Sequence, residues 1–209
     1  MPSYAIAYNA ICQECEKRFD ISERFSTVVN LDIEGFEKER FLDGSLNRII
    51  CPFCKKEFTY EIPMIVFCLK LKFACLVIPN LNSQNIIGIK NPPYHILPDN
   101  FRYRLVHYQI EALEKYKIFS LGLDDFQIEQ IKLKKFSDDE AMPFDEKNIV
   151  FDSFNSGIFN FKQVDYNNNI LNTYSFEYDL PKAKCNNFCR LKWLKIDRET
   201  LKEDGICLN

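Results

Sequence analysis

The chain has 209 residues, 46% of them hydrophobic and 27% charged, enough for one or two packed domains with a real core. Its 27 Lys and Arg against 30 Asp and Glu leave a net charge of -3 and a pI near 5.6, which argues against a protein that holds nucleic acid by bulk charge. Six glycines, none at dinucleotide-fingerprint or phosphate-loop spacing, and two histidines, His95 and His107, leave nucleotide enzymes, hydrolytic triads and histidine-rich metal centres short of residues.

The N-terminus lacks a basic start and a long apolar run, so it does not read as a signal peptide, and a cytoplasmic location is expected. Nine cysteines, an odd number, suit a reducing compartment without structural disulfides. From Ile6 to Pro79 the pattern is strand-like. Arg18 to Asn30 alternates around Phe19, Ile21, Phe25 and Val28, and Arg48 to Glu61 resumes the alternation. Between them Ile33 to Leu42 predicts a short helix, with Asp32 as its cap and Asp43-Gly44 as a left-handed stop. The apolar run from Ile62 to Pro79 carries Lys70 and Lys72, which makes it a poor membrane span and a better buried strand. Over Cys68 to Val77 a period of two puts Leu69, Leu71, Phe73, Cys75 and Val77 on one face, so Cys75 is a core candidate.

Residues 81–101 read as a linker, rich in Asn and broken by Pro92, Pro93 and Pro98, which sets a boundary after a first domain of residues 1–80. Residues 102–136 predict a helical hairpin. Its first helix, Arg102 to Phe119, shows an apolar stripe at Leu105, Tyr108, Ala112, Tyr116 and Phe119 and carries His107 in a structural role. Gly122 stops that helix, and Asp124 with Gln127 starts a second one through Lys135. In the last region, 147–209, the segments 148–154, 157–164, 170–178 and 189–197 predict an antiparallel meander. No internal repeat is read.

The chemistry lies in two CxxC pairs, Cys12-Gln13-Glu14-Cys15 and Cys51-Pro52-Phe53-Cys54. Two cysteines three apart close a tight turn whose amides point at the sulfurs, and two such turns supply four thiolates suited to a closed tetrahedral zinc site. Cys12, Cys15, Cys51 and Cys54 are therefore the expected ligands of one structural Zn2+, with iron as the metal alternative. Lys17, Arg18, Lys55 and Lys56 stand ready to offset the site's negative charge. Buried thiols or a redox dithiol are the competing readings of the same pairs.

From Cys12 to Pro79 the chain resembles the CpXC family of prokaryotic zinc-ribbon-like proteins. The likeness rests on the two CxxC pairs, the run Leu42-Asp43-Gly44-Ser45-Leu46-Asn47 between them, and strands ending in Pro63 and Pro79. It continues through Leu113-Glu114-Lys115, Ile118-Phe119, Gly122-Leu123-Asp124-Asp125, Ile128-Glu129 and Lys132, similar to a helical segment of longer members. The resemblance implies a zinc-binding fold and names no reaction. The chain departs from the family pattern with Gln13 at the motif proline, with Glu16 and Lys55 where glycine often follows the second cysteine, and with Val66-Phe67-Cys68 where members often show a Tyr-His-Asp-like triplet. A non-glycine residue in a left-handed turn costs about 1–2 kcal/mol, so strained knuckles are expected.

Weaker constellations follow. Cys185, Cys189 and Cys207 have loose spacing and are one ligand short of a second site; with Cys68 and Cys75 they are expected not to bind the zinc. Lys182, Lys184, Arg190, Lys192, Trp193 and Lys195 form the best nucleic-acid-like strip, though a solvated strand face explains them more simply. Asp124, Asp125 and Glu129 resemble a carboxylate cluster, but a helix cap and solvent exposure account for them. The expected fold is α+β: a zinc-ribbon-like antiparallel β domain, a helical hairpin and a C-terminal antiparallel sheet. The expected role is a protein-interaction or scaffold module off the membrane. A nucleic-acid-associated regulator comes second and an enzyme with an unrecognised site third.

Overall fold

The computed structural model describes residues 4–6, 9–22, 24–79, 101–136, 149–165 and 169–178. The expected linker, the strand at 189–197, the basic strip and Cys185, Cys189 and Cys207 lie outside them, as does His95. The architecture is α+β.

Two small hairpins carry the cysteine pairs. β2 (Asn9–Ile11) pairs antiparallel with β3 (Arg18–Asp20), and β6 (Arg48–Ile50) with β7 (Glu57–Thr59). A third two-stranded pairing joins β1 (Tyr4–Ile6) to β4 (Arg24–Ser26). Ala10, Cys12, Ile21, Phe25, Ile49, Cys51, Phe58 and Ile62 close a core of their own around these hairpins.

A four-stranded sheet follows in the order β10 (Arg102–Val106), β9 (Phe73–Val77), β8 (Met64–Cys68), β5 (Val28–Asn30). It is mixed: β8 and β9 are antiparallel, whereas β5 runs parallel to β8 and β10 parallel to β9. All five residues of β9 are buried, as fits a central strand covered on both faces. Helix α1 (Phe36–Leu42) packs beside β5, and Phe73 meets Phe119 of α2 (Gln109–Ser120) with ring centroids 5.3 Å apart. Helix α3 (Asp125–Phe136) follows, and β11 (Ile149–Asn155), β12 (Ile158–Val164) and β13 (Ile170–Glu177) make the antiparallel meander that the sequence predicted.

Several stops behave as expected. Gly44 and Gly122 both take positive φ, 76° and 71°. At the end of α2, Gly122 donates to the Phe119 carbonyl and Leu123 to that of Ile118, the paired bonds of a Schellman cap. At the start of α3 the Phe126 amide donates to the Asp124 side chain at 2.9 Å, so Asp124 is the cap.

Other expectations are corrected. Cys68 to Val77 is not one strand. It is the end of β8, a turn with Lys72 at φ 51°, and β9, so the period of two ran across a hairpin. Asp32 does not cap α1, whose first turn follows Gly35 without a side-chain cap. Its carboxylate accepts the Leu69 and Lys70 amides and the Cys68 thiol, closing that hairpin turn instead.

The predicted helix at Arg102 begins only at Gln109. Arg102–Val106 extends beside β9, because Tyr103 and Leu105 alternate with Arg102 and Arg104 as an edge strand requires. His107 precedes α2, its amide donating to the Glu111 carboxylate at 2.7 Å. One cluster runs from Val29 through Cys75 and Val77 to Ile118, Ile128, Phe151 and Phe161. The cluster beneath the cysteine hairpins is separate from it and smaller.

Candidate metal centre

Each CxxC pair sits in the turn of its hairpin, and the two turns are built alike. In the first, the Cys12 amide donates to the Lys17 carbonyl at 3.0 Å and the Glu16 amide to the Cys12 carbonyl at 2.8 Å. In the second, Cys51 donates to Lys56 at 2.9 Å and Lys55 to Cys51 at 3.0 Å. Glu16 and Lys55 occupy equivalent left-handed positions, at φ 56° and 62°, as the missing glycines foretold. Phe19 and Phe58 meet edge to face beneath the turns, with centroids 6.5 Å apart.

This equivalence shows an internal repeat that the sequence analysis missed. Ile11-Cys12-x-x-Cys15-x-Lys17-x-Phe19 recurs as Ile50-Cys51-x-x-Cys54-x-Lys56-x-Phe58. A self-comparison limited to this short window exposes it. The signal is faint along the whole chain because the segment between the two copies does not repeat, with Val29, Leu31, Phe41 and Leu46 packed in the large core.

All four sulfurs lie within 4.8 Å of one another. Cys12 and Cys54 are 3.5 Å apart, and Cys15 and Cys51 are 3.7 Å apart. A tetrahedral ion with sulfur ligands at 2.3 Å would place its sulfurs about 3.8 Å apart, close to the two crossing contacts of 3.5 and 3.7 Å. Among the described residues this is the one group of Cys, His, Asp and Glu side chains arranged to hold an ion.

The electrostatics point the same way. Burial raises the Cys51 thiol, but the amides of Cys54 and Phe53 donate to it and, with the neighbouring sulfurs, bring it down to about 6. The Lys56 amide lowers the Cys54 thiol, yet burial and the three surrounding sulfurs outweigh that and push it up to about 12. Sulfurs this close resist joint ionisation, and a divalent cation among them removes the penalty. Cys68 and Cys75 are buried in the large core, away from the quartet. The six described cysteines are all free thiols. Val66 and Cys68, in the triplet, are buried β8 residues.

The acidic candidates change character. Asp125 and Glu129, expected in solvent, are 1% and 4% exposed. The Arg104 guanidinium donates two bonds to Asp125, at 2.6 and 2.9 Å. Lys115 reaches Glu129 at 2.9 Å and Asp125 at 3.7 Å, and Lys132 bridges Glu114 at 2.5 Å and Glu129 at 3.1 Å. Glu114 also accepts the Phe151 amide, so the network ties β10, α2, α3 and β11 together. Burial would raise the Asp125 carboxyl, and Arg104 and Lys115 more than reverse this, holding it below the ordinary carboxylate range. The chain's own cations thus fill the cluster.

No helix among the described residues is long and apolar enough to cross a membrane. No curated protein matches the chain, and no solved structure does. The model of the CpXC protein family matches residues 11–132, from the first knuckle into α3, leaving the C-terminal meander beyond the match. With both cysteine pairs, the run between them and the helices after them inside a match that spans more than half of its length, this chain belongs to the CpXC family.

Proposed function

We propose that Cys12, Cys15, Cys51 and Cys54 hold one structural Zn2+ in a zinc-ribbon arrangement, and that the domain so stapled serves as a protein-interaction or scaffold module in a reducing, cytoplasmic setting. The observation that carries the metal reading is the mutual approach of four sulfurs from two separate hairpins within 4.8 Å. Four protein ligands complete a tetrahedron and leave no open position for substrate, so the ion acts on folding. A closed tetrahedral sulfur set suits zinc, and iron takes the same set, so metal analysis distinguishes the two. The interaction reading draws on exposed apolar side chains beside the knuckles, Ile11, Ile50 and Phe53.

Metal analysis of the purified full chain tests the first part. One zinc per chain is expected, lost together with the fold of the cysteine hairpins on Cys51→Ser; metal-free protein with four freely titrating thiols overturns it. A photo-crosslinker at Phe53 tests the second. A discrete protein adduct should form and vanish on Ile50→Asp while zinc content holds, and its absence in the native cell overturns the module reading.

A further inference from the structure

The same four sulfurs carry information about oxidation. Two sulfur contacts cross between the hairpins with favourable geometry, Cys12 to Cys54 at 3.5 Å and Cys15 to Cys51 at 3.7 Å, within a quartet whose sulfurs all lie within 4.8 Å of one another. Each couples a buried sulfur to an accessible one, because Cys12 and Cys51 are buried, Cys15 is partly open and Cys54 is exposed. A disulfide places its sulfurs about 2.05 Å apart, so roughly 1.5 Å of closure forms either crossing bond. Joining sulfurs within one knuckle would instead reshape a turn held by two backbone hydrogen bonds.

We infer that peroxide converts this cluster into two disulfides that cross between the knuckles, Cys12–Cys54 and Cys15–Cys51, so that metal is lost while the hairpins stay joined. The inference rests on the metal reading above and adds a redox response to it. The accessible thiolate of each pair attacks peroxide: a sulfur–oxygen bond forms, the oxygen–oxygen bond breaks and hydroxide leaves. The buried partner thiolate then attacks the sulfenic sulfur: a sulfur–sulfur bond forms, the sulfur–oxygen bond breaks and a second hydroxide leaves. Each disulfide therefore consumes two thiolates, one peroxide and two protons and yields two waters. The sulfurs lose the two electrons that peroxide gains, and the divalent ion is freed with its charge unchanged. Crossing disulfides close the same long loop that the ion closes, so the restraint on the unfolded chain is kept.

The experiment treats the full-length, zinc-loaded protein with hydrogen peroxide, follows zinc release with a chromogenic chelator, blocks residual thiols and maps disulfides in a non-reducing tryptic digest. Trypsin cuts after Lys17, Arg48 and Lys55, so each cysteine pair stays on its own peptide. The expected result is those two peptides joined, with fragmentation placing Cys12 on Cys54 and Cys15 on Cys51, zinc released in step, and zinc binding restored by dithiothreitol. Linkage within each peptide, or Cys12 joined to Cys51, overturns the inference. A protein purified without metal would sink the zinc reading while leaving the disulfide map to decide this one.

Discussion

Asn47 and Ser26 bind each other as two strands would. The Ser26 amide donates to Asn47 Oδ1 at 2.9 Å, and Asn47 Nδ2 donates to the Ser26 carbonyl at 3.0 Å. Asn47 does this from a left-handed position, φ 56°, while its own carbonyl accepts the Tyr60 amide at 2.8 Å. One side chain thus fastens β4 to the segment entering the second knuckle. Asn47→Ala should cost about 2–4 kcal/mol, combining two buried backbone groups left unpaired with left-handed strain. Asn47→Gly should recover only the strain. Urea unfolding of the zinc-loaded proteins measures both; equal stability of wild type and Asn47→Ala would refute the clamp.

Glu16 and Lys55 hold left-handed backbone with side chains that disfavour it. Replacing either with glycine should therefore stabilise the zinc-loaded protein by about 0.5–1 kcal/mol, the relieved strain less the extra entropy of the unfolded glycine. Thermal unfolding at saturating zinc reads the change. A lowered midpoint for both variants would show the turns to be unstrained.

The buried ion network makes a sharper claim. Asp125→Ala leaves Arg104 and Lys115 without their shared carboxylate and should cost about 3–5 kcal/mol, the usual cost of breaking a buried pair from one side. The pair of Lys38 with the exposed Glu34 offers the control. Glu34→Ala should change stability by under about 1 kcal/mol. Denaturant titrations giving similar values for the two variants would deny the network its role.

Two further carboxyls set a pH dependence. Glu61 accepts the Gln109 amide, and Glu111 accepts those of His107 and Tyr108. Burial raises Glu61 to about 8, with the nearby Glu111 adding to the shift, and burial raises Glu111 to about 7. Unfolded, both ionise in the ordinary carboxylate range, so between these limits the folded chain binds more protons. Their contribution is complete below about pH 4.5 and declines as pH rises through about 7 to 8. Glu111→Gln should flatten that decline. The check is stability measured at fixed zinc occupancy across the interval; an unchanged slope would be the contrary result.

The sequence by itself determined what local chemistry fixes. The two CxxC turns, Cys12 with Cys15 and Cys51 with Cys54, were legible because such a turn spans only a few residues, and Gly44, Gly122 and Asp124 because stops and caps act within one turn. The meander was legible because its strands are consecutive and separated by turn residues. Tertiary structure alone decided the rest. Arg102–Val106 is a strand because β9 offers it a parallel edge, although its apolar spacing suits a helix as well. Asp125 and Glu129 look like surface acids until Arg104 of β10 and Lys115 of α2 arrive from other elements to neutralise them, with Lys132 adding to Glu129 from one turn along α3. Periodicity reports which side of an element is apolar, whereas a sheet edge and a buried counter-ion are supplied by residues distant in sequence, so only the folded chain could assign them.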